Sequence, residues 1–170
     1  LLANILNEGE VVDAQSVGKV SPRVKEFFSR LGYMEHSSGV LFEQYLRMGM
    51  GSHPMIVGYE NQIVEFAVLN REVWEGVKKR LRILYPVPTV WSSHTVIAVN
   101  AKAQGLIKAL EDREVQKTAW ERHGFRTGII GGKNDVKVLG IVGMPERIEQ
   151  VLPMPPPRVM ESLMNDIGGR

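Results

Sequence analysis

The sequence predicts an α/β fold in which helices cover a sheet. Three observations carry this prediction. Segments with apolar residues at helical spacing alternate with short runs rich in β-branched and aromatic residues, the pattern of a layered α/β arrangement. Glycine and proline punctuate the segment boundaries. The 170 residues are 44% hydrophobic and 24% charged, the composition of a globular chain able to build a packed core.

The elements follow in order. Leu1 to Asn7 reads as a short helix stopped by Gly9, and Glu10 to Gly18 has room for a strand. Ser21-Pro22 reads as a helix start, with Ser as N-cap and Pro at the first helical position. Val24, Phe27, Phe28 and Leu31 then recur at helical spacing, Gly32 marks the stop, and Tyr33 to Ser37 reads as a loop. Ser38-Gly39 opens a second helix, lined by Leu41, Tyr45 and Met48 and closed by Gly49 and Gly51. Met55 to Tyr59, after Pro54, reads as a short buried strand. Gln62 to Asn70 and Arg71 to Arg80 read as helices, and Leu81 to Tyr85 as a strand.

Pro86 and Pro88 break the pattern, and the best internal boundary is Tyr85 to Thr89. Val90 to Val99 reads as a strand. Ala101 to Asp112 is an amphipathic helix with Ala103, Leu106, Ile107 and Leu110 on one side. Arg113 to Arg122 is a further helix ended by Gly124, and Gly128, Gly131 and Gly132 make a loop. Val136 to Val142 reads as a strand, Pro153 to Pro157 as a rigid extended stretch, and Arg158 to Ile167 as a final helix. In that helix Val159, Leu163 and Ile167 share a face.

Charge and motifs narrow the function classes. Lys and Arg number 21 against 19 Asp and Glu, so the net charge of +2 argues against a nucleic-acid partner. The chain has no cysteine, which excludes a disulfide framework, a thiol nucleophile and a Cys-ligated metal. No apolar run approaches the roughly 18 residues of a membrane span. Leu1 to Asn7 has neither an initiator Met nor a basic segment, so no signal peptide is expected and the chain is expected to begin inside a longer gene product.

Gly132-Lys133 misses a P-loop, because Thr127 holds the first glycine position and Asn134 the Ser/Thr position. Gly49 and Gly51 form a lone Gly-x-Gly after a helix, a weak signal. His36, His53, His94 and His123 lack the i, i+4 spacing of a helical metal site. Trp74, Trp91, Trp120 and the methionines read as packing residues, and the basic Lys78 to Arg82 as a solvated helix end. With no nucleophile elbow, zinc signature or Walker loop, no catalysis and no cofactor are expected.

Three blocks carry a resemblance to a known family. The first is Ser37-Ser38-Gly39 opening a helix, then Gly51 and Ile56-Val57-Gly58-Tyr59-Glu60. The second is Leu84-Tyr85-Pro86-Val87-Pro88-Thr89-Val90 with Ser92-Ser93-His94-Thr95-Val96-Ile97. The third runs from Ala109-Leu110-Glu111-Asp112 through Gln116 to His123-Gly124-Phe125-Arg126. In order and spacing, over roughly residues 20 to 126, these resemble the C-terminal part of bacterial extracellular solute-binding proteins of the type II periplasmic class.

The resemblance implies a three-layer αβα lobe with a return crossover and C-terminal helices. Residues 1–88 would form the distal lobe, 89–126 the return crossover strand and closing helices, and 127–170 a C-terminal tail. It implies a small solute as ligand, an oxyanion among the candidates, and the membrane component of an ABC transporter as partner of the full-length parent. It implies a periplasmic or extracellular location. The family's N-terminal lobe is expected before Leu1, and its absence leaves a surface open to self-association.

The resemblance also points to a site. A helix N-terminus offers unpaired N–H groups and a partial positive charge, where an anion docks without a cationic side chain. Ser38 is expected to cap that helix while Ser37 or Gly39 presents N–H groups; plain N-capping is the competing reading. Tyr59, at the expected C-terminal end of a strand, offers its hydroxyl to a ligand oxygen, or is a half-buried packing residue. Glu60 either receives a basic ligand group or starts the next helix, and it would oppose an oxyanion. Two other classes stay open: a ligand-sensing or protein-interaction domain of a larger regulatory protein, and an enzyme whose acidic residues converge in space.

Overall fold

The computed structural model describes residues 1–31, 34–51, 53–129 and 132–168. In chain order the helices are α1 (Leu2–Leu6), α2 (Val17–Ser29), α3 (Ser38–Met48), α4 (Glu60–Leu69), α5 (Arg71–Val77), α6 (Gln104–Leu110), α7 (Arg113–His123) and α8 (Pro157–Gly168). Single 3-10 turns occupy Gly49–Gly51, Ala101–Ala103 and Lys137–Leu139. Strands β1 (Thr89–Val90) and β2 (Val151–Leu152) pair in parallel, with Thr89 opposite Val151 and Val90 opposite Leu152. The protein is therefore mixed α and β, mostly helical, with one small parallel sheet among the described residues. The expected three-layer αβα lobe does not form there, because it needs a sheet several strands wide between its helix layers.

The chain divides into two compact units. One comprises Leu1–Met34, Pro86–Ser93 and Ile148–Arg170, and the other Glu35–Tyr85 and His94–Arg147.

In the first unit α2 packs on α1 and α8 around Val12, Val20, Val24, Val159 and Leu163, with Leu6, Phe28 and Ile167 at the margin. Val159, Leu163 and Ile167 supply the face of α8 that the spacing predicts. Asn4 is fully buried and its side-chain oxygen accepts from the Val12 amide at 3.3 Å. The start of α2 differs from expectation. Asp13 Oδ1 accepts from the Gln15 and Ser16 amides, both at 2.9 Å, and this turn launches the helix at Val17. Ser21 and Pro22 therefore lie inside α2, and Glu10 to Gly18 holds a turn rather than a strand. Ser21 is buried and donates its hydroxyl to Asp166 of α8, while Pro22 is exposed. Arg30 caps α2 at its C-terminus. Gly32, expected to stop the helix, lies outside the described residues, as do Tyr33 and Gly131 of the expected loops.

In the second unit α4 lies against α7. Ile63, Val64 and Ala67 of α4, Trp74 of α5 and Trp120 of α7 form its core with Val136, Ile141 and Met144. Complete burial of Val64 contributes about 2 kcal/mol. Asp112 caps α7 through the Glu114 and Val115 amides at 2.9 and 3.2 Å, and Gly124 ends it at φ +70°. A Cβ at Gly124 would stand 2.6 Å from the Val64 Cβ, so glycine there permits both the left-handed turn and the close approach of α7 to α4.

The expected strands at Met55 to Tyr59 and Leu81 to Tyr85 carry no ladder, and of Val90 to Val99 only Val90 lies in a strand. A strand exists only through its neighbour. These segments lack one, and Val57, Leu84, Ile97 and Val99 are 76% or more exposed. Val136 to Val142 is not a strand either. Asp135 Oδ1 takes the Lys137 amide at 2.9 Å and Gly140 turns left-handed, so local hydrogen bonding wins over β-branched composition. The packing role expected of Trp91 and the methionines also changes. Met144 is buried, but Trp91 is 44% exposed and Met34, Met48, Met55, Met154 and Met164 are about half exposed or more.

Candidate functional site

Ser37, Ser38, Gly39, Tyr59 and Glu60 all lie in the second unit. Ser37 rather than Ser38 is the N-cap of α3: its backbone is extended and its hydroxyl accepts from the Val40 amide at 3.2 Å. That corrects the capping assignment and leaves the Ser38 hydroxyl for another partner. Ser38 and Gly39 occupy the first turn of α3, where amides have no carbonyl one turn back.

Tyr59 ends an extended segment and precedes α4, with its residue surface 55% exposed. Gln62, in the first turn of α4, folds back so that its Oε1 accepts from the Tyr59 amide at 3.0 Å. Its Nε2 donates to the Ser38 hydroxyl, also at 3.0 Å. One amide side chain therefore joins the start of α3 to the start of α4. A Cβ on Gly58 would lie 3.1 Å from Gln62 Oε1, so a small residue there keeps this bridge uncrowded. The two helix starts, each with a partial positive charge, converge on one place.

Glu60 is engaged inward. Arg126 donates from Nε to Glu60 Oε2 at 2.7 Å and from a terminal nitrogen to Oε1 at 2.8 Å. The Tyr85 hydroxyl donates to the same Oε1. Arg126 also donates to the Glu146 carbonyl at 3.0 Å and the Pro145 carbonyl at 2.6 Å, and its guanidinium lies 5.1 Å from the Trp120 ring centroid. Its side chain is 4% exposed and that of Glu60 19%. Burial, and then the neighbouring Glu60 carboxylate, push the Tyr85 phenol well above its ordinary range. Burial alone would lower the Arg126 guanidinium, but the Glu60 hydrogen bonds and charge outweigh it and hold it raised. Of the two readings offered for Glu60, the start of α4 is what is seen, and the basic group paired with it is the protein's own Arg126 rather than a ligand's.

The sequence reading missed Gln62, Tyr85 and Arg126 as partners of these residues. The available signal was a Gln three residues into a helix, which reaches back to the N-cap amide in a capping box. Tyr at the cap position hid that pattern.

His123 Nδ1 is 2.8 Å from Glu65 Oε1, and the His94 ring meets Phe125 edge-on at 5.4 Å. Among the described residues no three His, Asp or Glu side chains gather as a metal site, and no helix is long and apolar enough to cross a membrane. A cavity beside α7 and another between α5, α7 and the Lys137–Leu139 turn are not lined by Ser37, Ser38, Gly39 or Tyr59.

Compared with known proteins, the chain matches no family model, no curated protein and no solved structure.

Proposed function

We propose that the paired starts of α3 and α4 bind a small solute, and that the chain belongs to an extracellular solute-binding protein of the type II periplasmic class. The Gln62 bridge between Ser38 and Tyr59 carries the proposal. It holds the first-turn amides of α3, the Ser38 hydroxyl and the backbone of the exposed Tyr59 beside one another. A solute oxygen would accept from the Ser38 or Gly39 amide, with the helix dipole favouring a negative group. The Tyr59 hydroxyl would donate to a second oxygen. Glu60, paired with Arg126, would not repel such a ligand as a free carboxylate would.

In this reading the protein delivers its solute to the membrane component of an ABC transporter from the periplasm or the cell exterior, and it catalyses nothing. The extended segments around Val57, Leu84 and Ile97 carry exposed apolar side chains and pair with no strand among the described residues. Their exposed apolar side chains also favour a second reading, a protein-interaction domain of a larger regulatory protein.

Titration calorimetry with small oxyanions, amino acids and polyamines tests the primary reading. Saturable binding that weakens about fivefold in Tyr59→Phe is expected, the substitution removing one ligand hydrogen bond worth about 1 kcal/mol, and Ser38→Ala, which keeps the backbone amide but removes the hydroxyl that Gln62 holds, is expected to weaken it as well. Saturable binding that both substitutions leave unchanged would place the ligand elsewhere.

A further inference from the structure

The second unit carries a cavity of about 590 Å³ between α5, α7 and the Lys137–Leu139 turn, away from the Ser38–Tyr59 pair. Four cations line it, Arg71, Lys78, Arg122 and Lys137, with two carboxylates, Glu75 and Glu121, and Lys137 reaches a third, Glu146. Their pairing is uneven. Lys78 is held by Glu75 at 2.5 Å, and Lys137 meets Glu146 only at 3.8 Å with both side chains more than 60% exposed. Arg71 and Arg122 form no ion pair among the described residues. Two guanidiniums so placed match the oxygen pairs of a carboxylate or phosphate, which a lysine does less well.

The cavity floor supplies an independent observation. Trp74 lines it while only 5% exposed, its ring packed edge-on against Phe66 at 6.4 Å. A buried indole N–H normally finds an acceptor, as that of Trp120 does in the Asp135 carbonyl at 3.0 Å. The Trp74 N–H has no hydrogen-bond partner among the described residues, nor is it sealed from solvent. Beside it Ala67, Val68 and Leu139 give the floor an apolar strip.

We infer that this cavity binds a small organic dianion, a dicarboxylate or a phosphate monoester, with its anionic oxygens shared between Arg71 and Arg122 and one of them accepting from the Trp74 indole. A dianion matches the two guanidiniums that form no ion pair among the described residues, and a short carbon chain covers the apolar strip. An inorganic ion would leave that strip wet. Glu121 lines the same space and disfavours anions of higher charge.

The experiment is a nitrogen-resolved NMR titration of the whole chain, following the three tryptophan indole resonances, with that of Trp74 assigned from Trp74→Phe. Succinate, glycerol 3-phosphate, inorganic phosphate and sodium chloride are added at matched ionic strength. The expected result is a saturable shift of the Trp74 indole with succinate or glycerol 3-phosphate, stronger than with inorganic phosphate and absent with chloride. Which of the two saturates first identifies the charged group. The shift should require at least tenfold more ligand in Arg71→Gln/Arg122→Gln, whose exposed side chains are not needed for folding, and should be unaltered in Ser38→Ala. No shift, an equal shift with chloride, or an undiminished affinity in the double variant would overturn the inference. None of these outcomes bears on binding at Ser38 and Tyr59.

Discussion

Glu60 and Arg126, 66 residues apart in sequence, form a two-pronged ion pair with contacts of 2.7 and 2.8 Å. The pair ties the start of α4 to the segment that follows α7, and Tyr85 joins it from the stretch after α5. A guanidinium that is 4% exposed depends on this carboxylate for its neutralisation. Glu60→Ala is expected to cost about 3 kcal/mol, because it leaves the buried cation unpaired. Glu60→Leu combined with Arg126→Met should recover much of that loss. Urea unfolding of the three variants measures both effects.

The Tyr85 phenol gives a pH signature. Its folded value lies above the ordinary 10.0, so the folded state keeps the proton longer than the unfolded state. The resulting stability is fully present below pH 10 and is lost as pH rises from there toward the folded value. Tyr85→Phe should cost about 1.5 kcal/mol near neutrality, through the lost bond to an ionised carboxylate. The difference between the two proteins should narrow above pH 10. Urea midpoints at pH 8 and above pH 10 check this, and a constant difference would show that Tyr85 titrates normally.

Gly124→Ala should be among the most damaging single changes, at about 3 kcal/mol or more. It places a side chain at φ +70° and drives its Cβ to within 2.6 Å of Val64. Thermal unfolding followed by circular dichroism would show a large fall in Tm.

Pro22→Ala should have the opposite sign. Pro22 is exposed within α2 and withholds one helical hydrogen bond. Alanine restores the donor at little steric cost, and a gain of about 2 kcal/mol is expected after the smaller entropy that proline removes from the unfolded chain. The same unfolding assay reads the increase.

What the sequence made legible was local. Gly124 ends α7 by its own chemistry, and Val159, Leu163 and Ile167 define the packed face of α8, whereas Asp112, read as the end of the preceding helix, is the N-cap of α7. Ser21-Pro22 misled, because the Asp13 turn starts the helix earlier, at Val17, and Pro22 is tolerated on the exposed side of α2. The strand readings failed for a non-local reason. Val57 or Ile97 carries strand propensity, but pairing depends on neighbours that no short window specifies. At the candidate site the residues themselves were visible, and the partners holding them were not. Gln62 acts through a bond to Ser38 across 24 positions, and Arg126 through one to Glu60 across 66.

The Gln62 side-chain amide reports most directly on whether a solute docks where α3 and α4 begin. An NMR titration with inorganic phosphate, glutamate and spermidine should, for at least one of them, move the Ser38 and Gly39 backbone amides and the Gln62 Nε2 resonances together to saturation. Gln62→Ala should abolish the concerted shift while leaving the rest of the spectrum folded. A folded protein in which none of the three solutes moves these resonances, or in which they move without saturating, would contradict a solute site at Ser38 and Tyr59.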